Sequence, residues 1–492
     1  MKFQTFRALA SVAALAGQCH ALPSGGTAVE TKNGVINGFT DPSTAPGVVQ
    51  FLGIPFAEPP VGARRWLPAL AKKSFNGTLD ALAQGPTCAQ TDPPSPTGAW
   101  LDEFLIRPGS ASEDCLYLNV WAPKSAPGNL SLPVVVWLHG GGLTEGGGDI
   151  AYQIPLNWVG RREKHIVVGI NYRLGLFGFP NAAGLDPKEQ NLGLLDQRLA
   201  IEWVRDNIAA FGGDPKRIVL WGQSAGAASV SYYQYAYHED PVAIGFIKNS
   251  GSPFMPISAS DPTHTAFSSL AAGFGCAKEG ELDCLRNVEW KDLQKYRDEN
   301  QLQFRVVVDE TTVFSDYAER TLTGQVAKGP AITGTTRDEW NFFGNAGPPP
   351  DNTTVPGDSI FGCPAHFETS LRGGAGLATF RYLYSANNTN VMPRGHGAFH
   401  SAELPLIFGT HNIARTQSTQ FEHELSDAMQ DLFLAFIEDP AAGLMGKGWE
   451  PTPPGPLGTV QTGVELGGDG QLVRKYSWEA WQVQCKNSTA AW

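Results

Sequence analysis

The segment Arg217-Ile218-Val219-Leu220-Trp221-Gly222-Gln223-Ser224-Ala225-Gly226 constrains this chain more than any other. An apolar run of strand type ends at a serine that has glycine two residues before it and two residues after it. A serine held on so sharp a turn between strand and helix needs small neighbours, because the backbone there is strained and passes close to adjacent segments. Ala225-Gly226-Ala227-Ala228-Ser229-Val230 then suits a helix. The first N–H groups of such a helix, that of Ala225 included, aim at developing negative charge. Ser224 is therefore the candidate nucleophile.

The sheet that would carry this turn is legible upstream. Val134-Val135-Val136-Trp137-Leu138 and Ile166-Val167-Val168-Gly169-Ile170 are short apolar runs bounded by turns, as in strands covered on both faces. Between Ile170 and Arg217, the stretch Leu192 to Phe211 repeats Leu195, Leu199, Trp203 and Ile208 near helical spacing. Strand, helix and strand in that rhythm predict a βαβ unit and a mostly parallel sheet, hence an α/β fold. Beyond about residue 255 the pattern loosens. Gly344 to Gly357 and Pro451 to Gly458 read as loops, and Leu425 to Ile437 as an amphipathic helix.

His139-Gly140-Gly141-Gly142 follows the apolar strand directly. Three consecutive glycines leave backbone N–H groups unshielded, so those of Gly141 and Gly142, with Ala225 as third donor, form a candidate oxyanion hole. A phosphate cradle is excluded by spacing, because no G-x-G-x-x-G opens a helix and no Gly-Lys-Ser/Thr follows. The second triplet, Gly146-Gly147-Gly148, reads as an ordinary flexible turn.

Composition narrows the setting. Lys2 and Arg7, the apolar run Ala8 to Gly17 and the small-x-small site Cys19-His20-Ala21 make residues 1–21 a secretory signal peptide, and the mature protein secreted and extracellular. No other run is long enough to span a bilayer, and Gln484 to Trp492 is too polar for a lipid-anchor signal. Of seven cysteines, Cys19 lies in that segment. Cys88, Cys115, Cys276, Cys284, Cys363 and Cys485 remain for disulfides, with 15 pairings open to sequence alone. Asn-x-Ser/Thr sequons at Asn76, Asn129, Asn352, Asn387 and Asn487 are glycosylation candidates on a secreted chain. A formal net charge of −12 disfavours nucleic acid and anionic membranes as partners. No Cys/His cluster has zinc-site spacing, so neither metal nor cofactor is expected.

With these segments in hand, the chain resembles the type-B carboxylesterase and lipase family, which includes cholinesterases and fungal lipases. Phe211-Gly212-Gly213-Asp214-Pro215, the strand and Gly222 to Gly226 match its serine signature. Glu113-Asp114-Cys115-Leu116-Tyr117-Leu118-Asn119-Val120 matches its second signature. Phe51 to Pro60, Asn171-Tyr172-Arg173 and Gly193-Leu194-Leu195-Asp196-Gln197 look like further family blocks. The match runs from about Val29 to Trp481. It implies one α/β-hydrolase domain over residues 22–492, which displaces a length prior of roughly three domains.

The resemblance also implies the partners of Ser224. Thr335-Thr336-Arg337-Asp338-Glu339 is similar to the family's acid segment and favours Glu339, with Asp338 as the neighbouring rival. Trp340 stands where the family usually has glycine, so the local turn departs from the pattern. His400, four residues after its competitor His396, sits in register before Phe408-Gly409 as the catalytic base. The same comparison implies bridges Cys88–Cys115 and Cys276–Cys284, with Cys363–Cys485 as the third pair. The first would tie a loop over the entrance, where Trp100, Leu101, Phe104, Leu105 and Ile106 either greet a fatty substrate or pack the loop down. Gln223 replaces a common glutamate, which weakens any case for a cationic choline substrate. Leu143 replaces a common phenylalanine and hints at a roomier pocket.

The expectation is a serine carboxylic ester hydrolase acting on short- to medium-chain acyl esters through an acyl-enzyme. An interfacially activated triacylglycerol lipase is the alternative within enzymes. A non-catalytic adhesion member of the family is the alternative outside them, although such members have lost a triad residue and this chain keeps all three. A monomer is the default.

Overall fold

Alternation along single strands divides the core. In Leu132–Leu138, Val134, Val136 and Leu138 join one buried apolar cluster, while Val135 and Trp137 join another. In Gly213–Gln223, Ile218 and Leu220 face the first cluster, and Val219 and Trp221 the second. Successive strand side chains point to opposite faces, so a run that is apolar throughout demands cover on both.

The computed structural model describes residues 27–75, 77–91, 109–126, 131–258, 261–277, 279–343, 358–391, 396–413, 416–455, 459–460, 462–479, 481 and 485. Residues 1–21, Asn76, Asn129, Asn352, Asn487, the apolar residues from Trp100 to Ile106 and the stretch Gly344 to Gly357 lie outside them. Asn387 lies within and is exposed.

Ten strands form one sheet: β1 (Val48–Pro55), β2 (Tyr117–Pro123), β3 (Leu132–Leu138), β4 (Ile166–Ile170), β5 (Gly213–Gln223), β6 (Gly245–Asn249), β7 (Ala331–Thr336), β8 (Thr379–Tyr384), β9 (Thr462–Leu466) and β10 (Val473–Ser477). Their spatial order is β10-β9-β8-β7-β6-β5-β3-β4-β2-β1. From β4 to β9 every pairing is parallel; β10, β2 and β1 attach antiparallel at the two edges. This is the α/β-hydrolase fold. In register, Trp221 of β5 lies beside Trp137 of β3 on one side and Ile247 of β6 on the other.

The helices Leu192–Asn207 and Ala225–Ala236 cover the first face, through Ile201, Val204, Ala228 and Val230. The first ends earlier than its apolar spacing predicts: a 3-10 turn, Ile208–Phe211, follows and stops at Gly212 with φ +88°. The helix Gln420–Glu438 covers the second face with Leu425, Met429, Phe433 and Phe436. Its start is fixed reciprocally: Glu422 N–H donates to Thr419 Oγ1, and Thr419 N–H to the Glu422 carboxylate. On this face Trp221 packs between Trp137 and Phe408, with ring centroids 4.4 and 4.7 Å away. Disulfides join Cys88 to Cys115, Cys276 to Cys284 and Cys363 to Cys485.

The loosening expected beyond residue 255 is corrected here, because β7 to β10 all belong to the same sheet. Their apolar pattern is broken by polar residues, some of whose atoms are paired across the sheet. Arg381 of β8 donates to Thr333 O at 3.1 Å, Tyr382 O at 2.9 Å and Thr335 Oγ1 at 2.8 Å, while its guanidinium lies 4.1 Å from the Trp478 ring centroid.

Candidate active site

Ser224 sits between β5 and the helix Ala225–Ala236 with φ +57° and ψ −126°, a conformation L residues rarely adopt. The surroundings hold it there. Its N–H donates to Asn249 O at the end of β6, 2.8 Å away, and its own carbonyl accepts the helix-starting bond from Ala228 N–H. A Cβ on Gly222 would stand 2.3 Å from Gly226 O, and one on Gly226 would stand 2.2 Å from Leu138 O. Those contacts are why the sequence spaces glycine at both positions.

The loop after β3 approaches the same point. Gly141 and Gly142 take φ +102° and +63°, and their N–H groups and that of Ala225 serve as donors in none of the loop's backbone hydrogen bonds. His139 anchors this loop from below. Its ring stacks on Tyr172 at 4.3 Å, its Nδ1 lies 2.8 Å from Gly140 O, and Tyr172 Oη donates to His139 O at 2.6 Å. Burial pushes the His139 pKa down to about 4, so the imidazole is neutral. The sequence motif contained this histidine without revealing that role.

Glu339 follows β7 on a 3-10 turn, Glu339–Phe342. Its Oε1 accepts from Ser250 Oγ at 2.7 Å and Thr336 N–H at 2.8 Å, and its Oε2 lies 2.5 Å from His400 Nδ1. Both residues are buried, at 2% and 3% exposure. Trp340 causes no break: the turn forms with no positive φ at that position, and its ring packs against Phe343. Asp338 points elsewhere. Its Oδ2 accepts from Ala398 N–H at 2.8 Å, and its backbone N–H donates to Ala398 O, pinning the segment that carries His400. His396 contributes its backbone carbonyl to Asn341 Nδ2 at 3.1 Å.

The second ring nitrogen of His400 has an unforeseen partner. Nε2 lies 2.9 Å from the Gln223 side-chain nitrogen. Because Nδ1 faces a carboxylate, it carries the proton, so Nε2 is the acceptor and the Gln223 amide donates to it. Ser224, His400 and Gln223 line one cavity of about 240 Å³, together with Gly141, Gly142 and Phe343. Leu143 does not line it. Its side chain is buried in the first core cluster, so the expectation that it widens the pocket is withdrawn.

The other sequence blocks act as clamps around this centre. Asp196 takes both Nε and Nη2 of Arg173 at 2.7 Å, and Glu113 grips Arg65 at 2.6 and 2.7 Å, all buried. Arg65 also donates to Leu285 O and Val288 O, so the clamp ties the segment before Cys115 to a distant helix.

A family model described as the carboxylesterase family matches residues 25–355 and 350–463. The chain belongs to the carboxylesterase family. The enzyme is 46% identical over 436 residues to a chlorogenic acid esterase of Aspergillus niger, covering 85% of this chain and 84% of that protein. It is 40% identical over 470 residues to secreted lipase 5 of Gibberella zeae, covering 86% and 87%. To the cholinesterase of Mus musculus it is 30% identical over 438 residues, covering 86% of this chain and 71% of that one. This carboxylesterase thus acts on small-molecule esters, and among its described residues no helix is long and apolar enough to cross a membrane.

Proposed function

We propose that this carboxylesterase works by two-step acyl transfer on Ser224, with His400 as general base and acid and Glu339 as the residue that orients it. The observation that carries the reading is the 2.5 Å contact between Glu339 Oε2 and His400 Nδ1, with His400 lining the same cavity as Ser224. The carboxylate fixes the tautomer with the proton on Nδ1 and stabilises the imidazolium that forms. His400 Nε2 then takes the Ser224 hydroxyl proton as Oγ bonds to the ester carbonyl carbon. The carbonyl oxygen gathers negative charge and is bound by the N–H groups of Gly141, Gly142 and Ala225. His400 returns the proton to the departing alcohol, and water repeats the sequence to release the acid.

The mature enzyme in this reading is one domain over residues 22–492, secreted after loss of residues 1–21, glycosylated at some of its sequons and monomeric. Short- to medium-chain acyl esters are its first substrate class. The similarity to a chlorogenic acid esterase adds phenolic acid esters to that class, and the similarity to a secreted lipase keeps interfacial activity as the second reading.

The test is hydrolysis of p-nitrophenyl esters from acetate to palmitate by wild type and Ser224→Ala. Loss of roughly 10⁴-fold or more in kcat/KM, with an unchanged melting temperature, is expected. Activity surviving in Ser224→Ala would sink the reading. A rise in rate as tributyrin passes its solubility limit would favour the lipase.

A further inference from the structure

The cavity that Ser224 and His400 line carries further polar side chains, and most are committed to the protein itself. Gln90 donates to Cys88 O and Gly146 O and accepts from Gly146 N–H. Thr91 is bonded to Asp298, Thr144 donates to Gly141 O, and Gln153 accepts from the Trp137 indole. Glu145 lines the same cavity, and its carboxylate has no hydrogen bond or ion pair among the described residues. The Arg297 charge acts on it, but Arg297 is already paired with Asp298 at 2.6 Å.

The backbone of Glu145 is locked to the oxyanion loop. Its N–H donates to Gly141 O at 3.0 Å, and a Cβ placed on Gly141 would lie 2.1 Å from Glu145 O and 3.1 Å from Glu145 Cγ. The carboxylate is therefore anchored within a side chain's length of the point where an ester carbonyl would bind. The side chain is exposed at the cavity, and desolvation by the surrounding protein raises its pKa, opposed by the Arg297 charge. Its oxygens are open to a donor that a ligand in the cavity brings.

We propose that Glu145 is a specificity-determining residue that accepts hydrogen bonds from hydroxyl groups that the ester substrate brings into this cavity. An ionised carboxylate is an acceptor only and can take two donors at once, so neighbouring hydroxyls on a phenolic ring or a polyol suit it best. It disfavours substrates that place an anion at the same point. The inference rests on Ser224 being the nucleophile of this cavity.

The experiment compares kcat/KM for two matched pairs, methyl caffeate against methyl cinnamate and glycerol monoacetate against propyl acetate, in wild type, Glu145→Gln and Glu145→Ala. Within each pair the ratio cancels any general loss of activity. A fall of about tenfold or more in the preference for the hydroxylated ester in Glu145→Ala is expected, with a smaller fall in Glu145→Gln. A fall in the first pair places Glu145 beside the acyl group, and a fall in the second beside the alcohol. Unchanged ratios in both pairs would overturn the proposal, and Glu145→Gln answers the question if the alanine variant does not fold. Failure of the underlying reading looks different, since activity would then persist in Ser224→Ala.

Discussion

The amide nitrogen of Gln223 lies 2.9 Å from Nε2 of His400, the atom that receives the Ser224 proton in the proposed mechanism. In the structure Nε2 meets the residue adjacent to Ser224, and not the Ser224 hydroxyl. Gln223 is itself confined, because a Cβ on Gly140 would lie 2.6 Å from its Oε1. Hydrogen bonds of a catalytic serine often form only when substrate arrives, and here a competing donor must let go first.

Replacing Gln223 with methionine removes that donor while keeping the side-chain length. Nε2 is then left to the Ser224 hydroxyl. Labelling of Ser224 by a fluorophosphonate should accelerate a few-fold, read as the second-order rate constant. Slower labelling would mean that the amide positions the imidazole and does not compete with the serine.

Glu339→Gln tests the orienting carboxylate. The oxygen that accepts from Ser250 Oγ and Thr336 N–H must stay an oxygen, so the new NH₂ faces Nδ1 and favours the wrong tautomer. A kcat loss on the order of 10³- to 10⁴-fold is expected, with KM changing by less than about threefold. Asp338→Asn should cost far less, because it keeps an acceptor for Ala398 N–H. Equal losses in the two variants would hand the role to Asp338.

Glu403 gives the enzyme a pH-dependent stability. It is fully buried beside Glu339, accepts from Asn249 Nδ2 at 3.1 Å and lies 3.3 Å from Tyr382 Oη. Burial, and then the Glu339 charge, raises its pKa from 4.5 to about 8. The native state holds a proton that the unfolded chain releases, so this contribution is full below about 4.5 and is lost as pH rises towards 8. Glu403→Gln mimics the protonated acid. Its melting temperature should fall less than that of wild type between pH 5 and 8, as followed by circular dichroism. Parallel curves would show that Glu403 does not titrate in that window.

The disulfides should differ in worth according to the chain they close. Cys363–Cys485 spans 122 residues and Cys276–Cys284 only 8. Loop-closure entropy gives about 5 kcal/mol for the first and about 2.5 kcal/mol for the second. Paired serine substitutions should lower the denaturant midpoint in that order, and the reverse order would point to native contacts outweighing chain entropy.

The sequence by itself determined that Val134 to Leu138, Ile166 to Ile170 and Arg217 to Trp221 are strands, and it determined the glycine spacing around Ser224. These are local properties: continuous apolar runs need two covered faces, and a strained serine turn needs neighbours without side chains. Tertiary structure decided what depends on partners far along the chain. β8 was obscured by Arg381, whose buried guanidinium donates through Nη1 and Nη2 to Thr333 and Thr335 and lies over the Trp478 ring. The distinction between Glu339 and Asp338 is a matter of direction, one towards His400 and the other towards Ala398 across the same turn. Gln223 beside His400, and Glu145 without a donor, exist only once segments separated by many residues meet at the ends of parallel strands. Polar groups inside a protein are fixed by whichever donor or acceptor folding brings to them, and residue order alone does not name that partner.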